Sequence, residues 1–215
     1  SFDHHLSWLK ERFQLRTLDE LRRDPPRPGS ERAPVAITFD DGWRDNLTVA
    51  WPVLQSHGVR ATIFLVSDWI RAGRGDGSEF LRPDEVRDLA AAGMEFGAHT
   101  ATHPSLPALA DDAARREMES SRQAVEVWTG RPCTAFAYPF GHHDERIARI
   151  ARSLFETSVI VSARWWGADD DPARVPRVSI HEDMTATRSM FRATIAGVFT
   201  SHRGGGRRIA AGEAR

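Results

Sequence analysis

Short apolar runs alternate along the chain with longer stretches in which apolar residues recur at helical spacing. The apolar runs predict strands at 35–40, 61–66, 94–99, 134–140 and 155–161. The helical spacing predicts helices at 46–57, 82–92, 111–129, 144–153 and 184–198, after an amphipathic helix and a second short element within 2–23. Because strands alternate with helices in this way, the sequence predicts an α/β domain with a parallel sheet.

Two of the predicted helices carry features that the structure can test directly. The buried face of the helix at 111–129 is predicted to consist of positions spaced four and three apart: Ala114, Met118, Ser121, Val125 and Trp128. Gly130-Arg131-Pro132 ends this helix. In the helix at 46–57, Pro52 predicts a break or kink because proline has no backbone N–H to donate.

With 215 residues and 40% apolar residues, the chain is predicted to fold as one domain with a full core. We expect an N-terminal helical lead-in and Pro-rich connector at 1–34 and the main domain at 35–200. The last segment, 201–215, is rich in Gly and Arg and is predicted to be disordered.

Composition narrows the range of partners. The formal net charge is −1, so the chain lacks the basic surface that nucleic acid binding requires. No apolar run approaches the roughly 20 residues of a membrane span, and no signal peptide opens the chain. The compartment stays open between the bacterial cytoplasm and the cell envelope, and the oligomeric state is not predicted.

The pentapeptide Thr38-Phe39-Asp40-Asp41-Gly42 places two carboxylates where a predicted buried strand ends. In parallel α/β folds, the carboxyl ends of the strands usually carry the chemistry. Neighbouring side chains of an extended backbone point to opposite sides, so one aspartate can hold a metal while the other moves a proton. The alternative interpretation is a solvated Asp-Asp-Gly turn.

A second motif, His99-Thr100-Ala101-Thr102-His103-Pro104, follows the predicted strand at 94–99. Histidines four residues apart can present two imidazoles to one ion. Two histidines and one carboxylate leave about half of the coordination sphere of a first-row metal open, which is a catalytic arrangement. A cysteine-built site is excluded because Cys133 is the single cysteine. The alternative is a pair of surface or capping histidines.

These two motifs together resemble the first two motifs of the polysaccharide deacetylases, which are carbohydrate esterase family 4 with the NodB-homology domain. A third segment, Phe136-Ala137-Tyr138-Pro139-Phe140-Gly141, resembles the third motif of the branch that deacetylates exopolysaccharide. The resemblance extends from about Phe2 to about His181. It implies a single-domain fold, a distorted (β/α)7-type barrel, with each motif at the carboxyl end of a strand.

The resemblance also implies an activity and a set of site residues. The activity is removal of N-acetyl groups from a glycan by a metal-dependent hydrolase. A divalent metal, zinc first and Co2+, Ni2+ or Fe2+ as other choices, would be bound by Asp41, His99 and His103. Asp40 would be the general base, with a turn-capping carboxylate as the alternative.

Further roles follow from the same resemblance. The backbone N–H of Phe140 would stabilise the oxyanion, and His181, in an apolar-x-His sequence like that of the fifth motif, would be the general acid. Tyr138, Pro139 and Trp43 are the candidate substrate-binding residues. For the aromatic residues Tyr138, Phe140 and Trp43, the alternative is packing.

The sequence departs from the family pattern at several positions. Ala137 stands where many members have an arginine that pairs with the catalytic aspartate, and Arg177 and Arg164 are the candidate replacements. The fourth motif is not found, and the three aspartates at 169–171 are interpreted as a loop. Some relatives carry the acid histidine on a strand ahead of the first motif. If this protein resembles them, the acid is not His181.

Three other functions remain open from the sequence. A related amidohydrolase or deformylase on a small or lipid-linked substrate would use the same motifs. A glycan-binding module with impaired catalysis is the second alternative. The third, a non-heme Fe(II) oxygenase, also uses two histidines and one carboxylate, but the β/α alternation argues against it.

Overall fold

A computed structural model of the chain describes residues 2–24, 32–72, 79–167, 169–180 and 187–203, with side chains to residue 195 in the last helix. His181 and the segment 204–215 therefore lie outside the described residues. The strands are β1 (Gln14–Arg16), β2 (Pro34–Ala36), β3 (Thr38–Phe39), β4 (Thr62–Leu65), β5 (Glu95–Ala98), β6 (Ala135–Ala137), β7 (Thr157–Val161) and β8 (Val175–Arg177).

The helices surround these strands in alternation. They are α1 (Phe2–Arg12), α2 (Leu18–Arg23), α3 (Trp51–Ser56), α4 (Ser67–Ala72), α5 (Pro83–Ala91), α6 (Asp111–Thr129), α7 (Glu145–Leu154) and α8 (Arg188–Arg203). Shorter turns of helix occur at Asn46–Ala50, Leu106–Ala108, Pro139–Gly141 and Pro172–Arg174. No helix in the described ranges is both long enough and apolar enough to cross a membrane.

Six strands form one parallel sheet in the order β3-β4-β5-β6-β7-β8, and β1 pairs with β2 in a separate parallel pair. In a flat sheet the two outer strands would lie about 24 Å apart, given a strand spacing of about 4.8 Å. Instead, Arg177 at the end of β8 donates to the Thr38 hydroxyl of β3 at 3.0 Å. The sheet therefore curls until its edges meet, which confirms the distorted barrel fold.

The buried apolar residues form three clusters in the described part of the chain, and one of them joins α1 to α8 through Leu9, Phe13 and Phe191. A small cluster of residues from β4, β6, β7, β8 and the start of α2 packs together, and comprises Leu18, Phe64, Ala137, Val159 and Val175. A larger cluster lies between the sheet and the helices. Gly97 of β5 is required by close packing, because a Cβ there would lie 2.5 Å from the Phe64 ring and 2.9 Å from the Ala135 carbonyl oxygen.

The helix predictions with the clearest periodicity are confirmed. Helix α6 spans Asp111–Thr129, all five residues predicted on its inner face are buried, and Gly130 ends it with φ of 66°. The predicted break near Pro52 is present as a change of helix type, from the π-helical turn Asn46–Ala50 to α3. Pro52 lies in the first turn of α3, where its missing N–H costs nothing.

Two predicted strands were wrong in extent. The run 35–40 forms two strands, β2 and β3, which join different sheets on either side of Ile37. The strand predicted at 134–140 ends at Ala137, because Pro139 cannot donate to a ladder and begins a short 3-10 turn. In both places the apolar residues continue past the point where the backbone leaves its strand.

Other elements were missed or misplaced. Strand β8 was not predicted because it contains Pro176, which an edge strand tolerates. Strand β1 and helix α4 were too short to give a periodic signal. The last helix begins at Arg188 rather than 184 and continues to Arg203, so 201–203 is helical where disorder was predicted.

Candidate metal and catalytic site

The backbone of the first motif turns sharply after β3, so the carboxylates of Asp40 and Asp41 point in different directions. Asp41 and Gly42 both have positive φ, 71° and 79°, and the Gly42 N–H donates to the Asp40 carbonyl at 2.9 Å. A Cβ on Gly42 would lie 2.7 Å from Leu65 Cδ2, so glycine is needed there for both conformation and space. Asp41 consequently points to the histidines and Asp40 to Arg177.

The three predicted metal ligands meet at one point. One ligand atom from each of Asp41, His99 and His103 lies within 4.8 Å of the others. Asp41 Oδ1 is 3.5 Å from the Nε2 atoms of both His99 and His103. This oxygen is buried and has no hydrogen-bond partner among the residues described. A buried carboxylate oxygen that faces two imidazole nitrogens fits a divalent cation.

His99 is fixed in the orientation that a metal ligand needs. Its Nδ1 lies 2.7 Å from the Ala137 carbonyl oxygen, and its side chain is buried. Because a carbonyl can only accept, Nδ1 carries a proton, so in the neutral ring Nε2 is the nitrogen whose lone pair faces an ion. The Ser121 hydroxyl of α6 accepts from the His99 backbone N–H at 3.3 Å and donates to the Leu65 carbonyl.

His103 is positioned by a strained loop. Thr100 and His103 have φ of 69° and 65°, and the His103 N–H donates to the Thr100 hydroxyl at 3.0 Å. Glu117 of α6 accepts from the backbone N–H groups of Ala101 and Thr102, each at 2.9 Å. Burial and the neighbouring His99 imidazole lower the pKa of His103, which favours the neutral form that binds metals.

Asp40 forms a two-pronged ion pair with Arg177. The Nη1 and Nη2 atoms of Arg177 lie 2.7 and 2.8 Å from the two Asp40 carboxylate oxygens. Burial alone would raise the pKa of Asp40, but the Arg177 charge and hydrogen bonds outweigh it and hold the pKa below its usual range. Arg177 thus replaces the arginine missing at Ala137, whereas Arg164, the other candidate, pairs with Asp170 at 2.7 Å.

Comparison with known proteins identifies the family. Residues 28–157 match the family model named polysaccharide deacetylase, which is more than half of the chain. The chain belongs to the polysaccharide deacetylase family. The Bacillus subtilis protein YxkH is 30% identical over 154 residues, which cover 70% of this chain and 53% of YxkH. A chitooligosaccharide deacetylase of Rhizobium leguminosarum is 34% identical over 98 residues, covering 45% of this chain and 41% of that protein.

A solved structure supports the fold. The Streptococcus pyogenes deacetylase PplD, determined in complex with acetate, superposes with a TM-score of 0.77 at 24% identity, and the match covers 85% of this chain and 81% of PplD. The chain spans about half the length of the curated relatives it matches.

The third motif of this deacetylase-family chain contributes both packing and an exposed ring. Tyr138 is 1% exposed, and its hydroxyl donates to the Ala173 carbonyl at 2.8 Å. Pro139 is also buried. This favours packing over substrate contact for the side chains of Tyr138 and Pro139. Phe140 is different, because its ring is 60% exposed, lies 4.6 Å from the His103 ring, and has a backbone φ of 60°.

Trp43 lies at the rim of the candidate metal site. Its side chain is 44% exposed and stacks on Phe80 with ring centroids 4.5 Å apart. Its indole N–H donates to Asp41 Oδ2 at 3.1 Å. The sequence predicts Trp43 near the site but not this hydrogen bond, whose single sequence signal is the position of Trp43 directly after the motif.

The described aspartates of the 169–171 loop have local roles, and the His5 side chain has a packing role. Asp170 pairs with Arg164, and Asp171 accepts from the Ala173 N–H, so both serve the loop as expected. On α1, the His5 ring stacks on Phe191 of α8 with centroids 4.0 Å apart.

Proposed function

We propose that this protein is a metal-dependent hydrolase that removes N-acetyl groups from an N-acetylated sugar in a polysaccharide or a glycan precursor. The observation that carries the proposal is the convergence of Asp41, His99 and His103 beside an Asp40 carboxylate that is ion-paired with Arg177. Membership of the polysaccharide deacetylase family supports the reaction class.

The proposed metal is a divalent cation, with zinc as the first choice and Co2+, Ni2+ or Fe2+ as alternatives, because imidazole and carboxylate ligands suit all four. When bound, such an ion polarises an acyl carbonyl and lowers the pKa of water. Asp41, His99 and His103 are the residues that would hold it. The Nδ1–H of His99 is engaged by the Ala137 carbonyl, and the Asp41 Oδ1 atom has no hydrogen-bond partner among the described residues, so His99 Nε2 and Asp41 Oδ1 are the atoms that face the ion.

Asp40 is the proposed general base. Its low pKa keeps it ionised near neutral pH, so it can accept the proton of the attacking water, and Arg177 fixes its orientation. The water oxygen adds to the acetyl carbon, the C–N bond breaks, and acetate and a free amine leave. The amine requires a proton, for which His181 is the proposed donor.

The proposed oxyanion donor is the backbone N–H of Phe140. The Phe140 ring contacts the ring of the ligand His103, so its backbone lies on the rim of the same centre. Its left-handed backbone conformation is a strained one, and such strain in non-glycine residues concentrates at functional sites. A backbone donor at this position would stabilise the negative charge that develops on the acyl oxygen in the transition state.

The proposed substrate is an N-acetylated glycan. The R. leguminosarum relative is named as a chitooligosaccharide deacetylase. The exposed face of Trp43 offers an apolar surface of the kind on which a sugar ring can pack.

A substrate panel tests this proposal. The metal-depleted protein would be assayed for release of acetate or formate from N-acetylglucosamine oligomers, an N-formyl amino sugar and a small aliphatic acetamide, with and without added Zn2+ or Co2+. We expect metal-dependent acetate release from the oligomers at the highest rate. Preferential hydrolysis of the formyl sugar or of the small acetamide would favour the related amidohydrolase. Oligomer binding without turnover would favour a binding module.

A further inference from the structure

The two carboxylate oxygens of Asp41 have different surroundings. Oδ1 is buried, faces the Nε2 atoms of His99 and His103 at 3.5 Å, and has no hydrogen-bond partner in the described part of the chain. Oδ2 accepts the indole N–H of Trp43 at 3.1 Å. One oxygen is therefore available to an ion, and the other is already engaged by a neutral donor.

Trp43 is held firmly enough to act as a fixed donor. Its ring stacks on Phe80, with an interplanar angle of 29°, and the backbones of the two residues form an antiparallel bridge. Phe80 itself is 1% exposed and contacts the Trp69 ring, with centroids 5.0 Å apart. The stack on Phe80 fixes the plane of the indole ring. The indole N–H then points at Asp41, and the ring face opposite Phe80 stays in solvent.

We propose that the Trp43 indole N–H is a positioning group that restricts Asp41 to binding the ion through Oδ1 alone. This rests on the proposed metal site. A carboxylate that binds through both oxygens takes two coordination positions, whereas one restrained by a hydrogen bond takes one. Trp43 thereby keeps a further position open for water and substrate. The hydrogen bond also orders the Asp41 side chain before the ion binds, so that less conformational entropy is lost on binding. Donors to metal-binding carboxylates generally have this effect.

The test compares the metal affinity of the wild-type protein with that of Trp43→Phe, which keeps an aromatic ring and removes the N–H. Zn2+ affinity would be measured by competition with a chelator, and the visible absorption of the Co2+-loaded protein would report the coordination number. We expect Zn2+ affinity to fall by about 10- to 100-fold in Trp43→Phe, in line with other hydrogen-bond partners of metal ligands. The Co2+ bands should also weaken as Oδ2 becomes a ligand.

Two controls make the result specific. Trp51→Phe removes an indole from α3 and should leave the Zn2+ affinity unchanged. His99→Ala removes a proposed ligand. If wild-type and His99→Ala proteins bind Zn2+ equally, the metal site itself is wrong and both proposals fall. If His99→Ala loses the ion but Trp43→Phe matches the wild type in affinity and Co2+ spectrum, only the role of Trp43 is overturned.

A second measurement does not depend on how well Trp43→Phe folds. In a proton–nitrogen correlation spectrum of the wild-type protein, the Trp43 indole N–H should give a resolved signal that moves when Zn2+ is added. The same addition to His99→Ala should leave it in place. A Trp43 indole signal that ignores Zn2+ in a protein that binds it would contradict the proposal.

Discussion

The orientation and the low pKa of Asp40 depend chiefly on one side chain, Arg177, at the opposite edge of the sheet. The planar guanidinium of Arg177 meets both Asp40 oxygens at once, a geometry that lysine cannot reproduce with its single ammonium. The same guanidinium also donates to the Thr38 hydroxyl, which fixes the position of the guanidinium. The orientation of the Asp40 carboxylate is fixed with it. The proposed general base is thus held by an arginine that is 137 residues away in sequence.

Replacing Arg177 should change the pH dependence of the proposed reaction. In Arg177→Leu the Asp40 carboxyl loses its compensating charge, so its pKa rises and the acidic limb of kcat/KM moves to higher pH. The orientation is lost too, and kcat/KM at neutral pH should fall by up to about 100-fold. The acidic limb and the kcat/KM of Arg177→Lys should lie between those of the wild type and of Arg177→Leu, since lysine keeps the charge but cannot donate to both carboxylate oxygens in the same geometry.

Arg164→Leu is the matched control for this experiment, because Arg164 pairs with Asp170 in a loop. Its pH–rate profile should coincide with that of the wild type. An acidic limb that stays in place in Arg177→Leu would contradict the assignment of Asp40 as the base.

Two side chains of the long helix α6 hold the loop of the second motif in position. Ser121 bonds the backbone at the start of the loop, and Glu117, one turn earlier, accepts the N–H groups of Ala101 and Thr102. The Glu117 carboxylate also accepts from the Thr102 hydroxyl at 2.9 Å. These contacts stabilise a loop in which two non-glycine residues adopt left-handed conformations, each at a cost of about 1–3 kcal/mol.

Removing Glu117 should therefore weaken metal binding without touching a ligand. In Glu117→Ala the backbone donors of the loop lose their acceptor, His103 becomes less ordered, and Zn2+ affinity should fall by about tenfold. Chelator competition would measure it. Glu119→Ala, on the same helix but paired with Arg115 at the surface, should bind Zn2+ like the wild type. Equal affinities in the two variants would show that the loop does not depend on α6.

At the scale of the whole molecule, the curl of the sheet assembles the site. Asp40 follows β3 and Arg177 ends β8, the two outer strands, so their contact exists only because the sheet closes on itself. Inside the curl, the Phe64 ring packs against the Gly97 backbone, and the Arg177 guanidinium lies 5.4 Å from the ring centroid. Packing in the interior and the position of Arg177 are thus linked through one aromatic ring.

Gly97→Ala should test the packing side of this link. The added methyl group would lie 2.5 Å from the Phe64 ring and 2.9 Å from the Ala135 carbonyl oxygen, so the ring and the backbone must shift, and overpacking of this kind costs about 1–3 kcal/mol of unfolding free energy. Urea denaturation would measure it. In Phe64→Leu the smaller side chain makes room, so the double variant should be more stable than the sum of the single effects predicts. Strict additivity would exclude the contact as the cause.

The sequence predicts the fold class and the three side chains that converge at the candidate metal site because their signals are local. Asp41, His99 and His103 belong to two short motifs at predicted strand ends, and the helix α6 repeats its apolar positions regularly. Arg177 could be proposed as a partner of Asp40 but not chosen over Arg164, since the choice depends on which strand closes the sheet. Strand β8 gives no strand signal because of its proline.

In contrast, the burial of the side chains in the third motif could not be predicted from the sequence. Tyr138 and Phe140 are two residues apart in one apolar segment, and the pattern cannot say which is buried. The 3-10 turn after β6 decides it, placing Tyr138 in the core and Phe140 at the rim. The hydrogen bond from Trp43 to Asp41 depends likewise on the positive φ of Asp41, which no periodicity encodes.

The most direct test of the account is acetate release from N-acetylglucosamine oligomers by the Zn2+-loaded wild-type protein and by Asp40→Asn. We expect release that depends on added metal in the wild type and falls by at least about 100-fold in Asp40→Asn, the usual contribution of a general base, with Zn2+ affinity retained in both. Acetate release by Asp40→Asn at the wild-type rate, or release by the wild type that ignores the metal, would contradict the account.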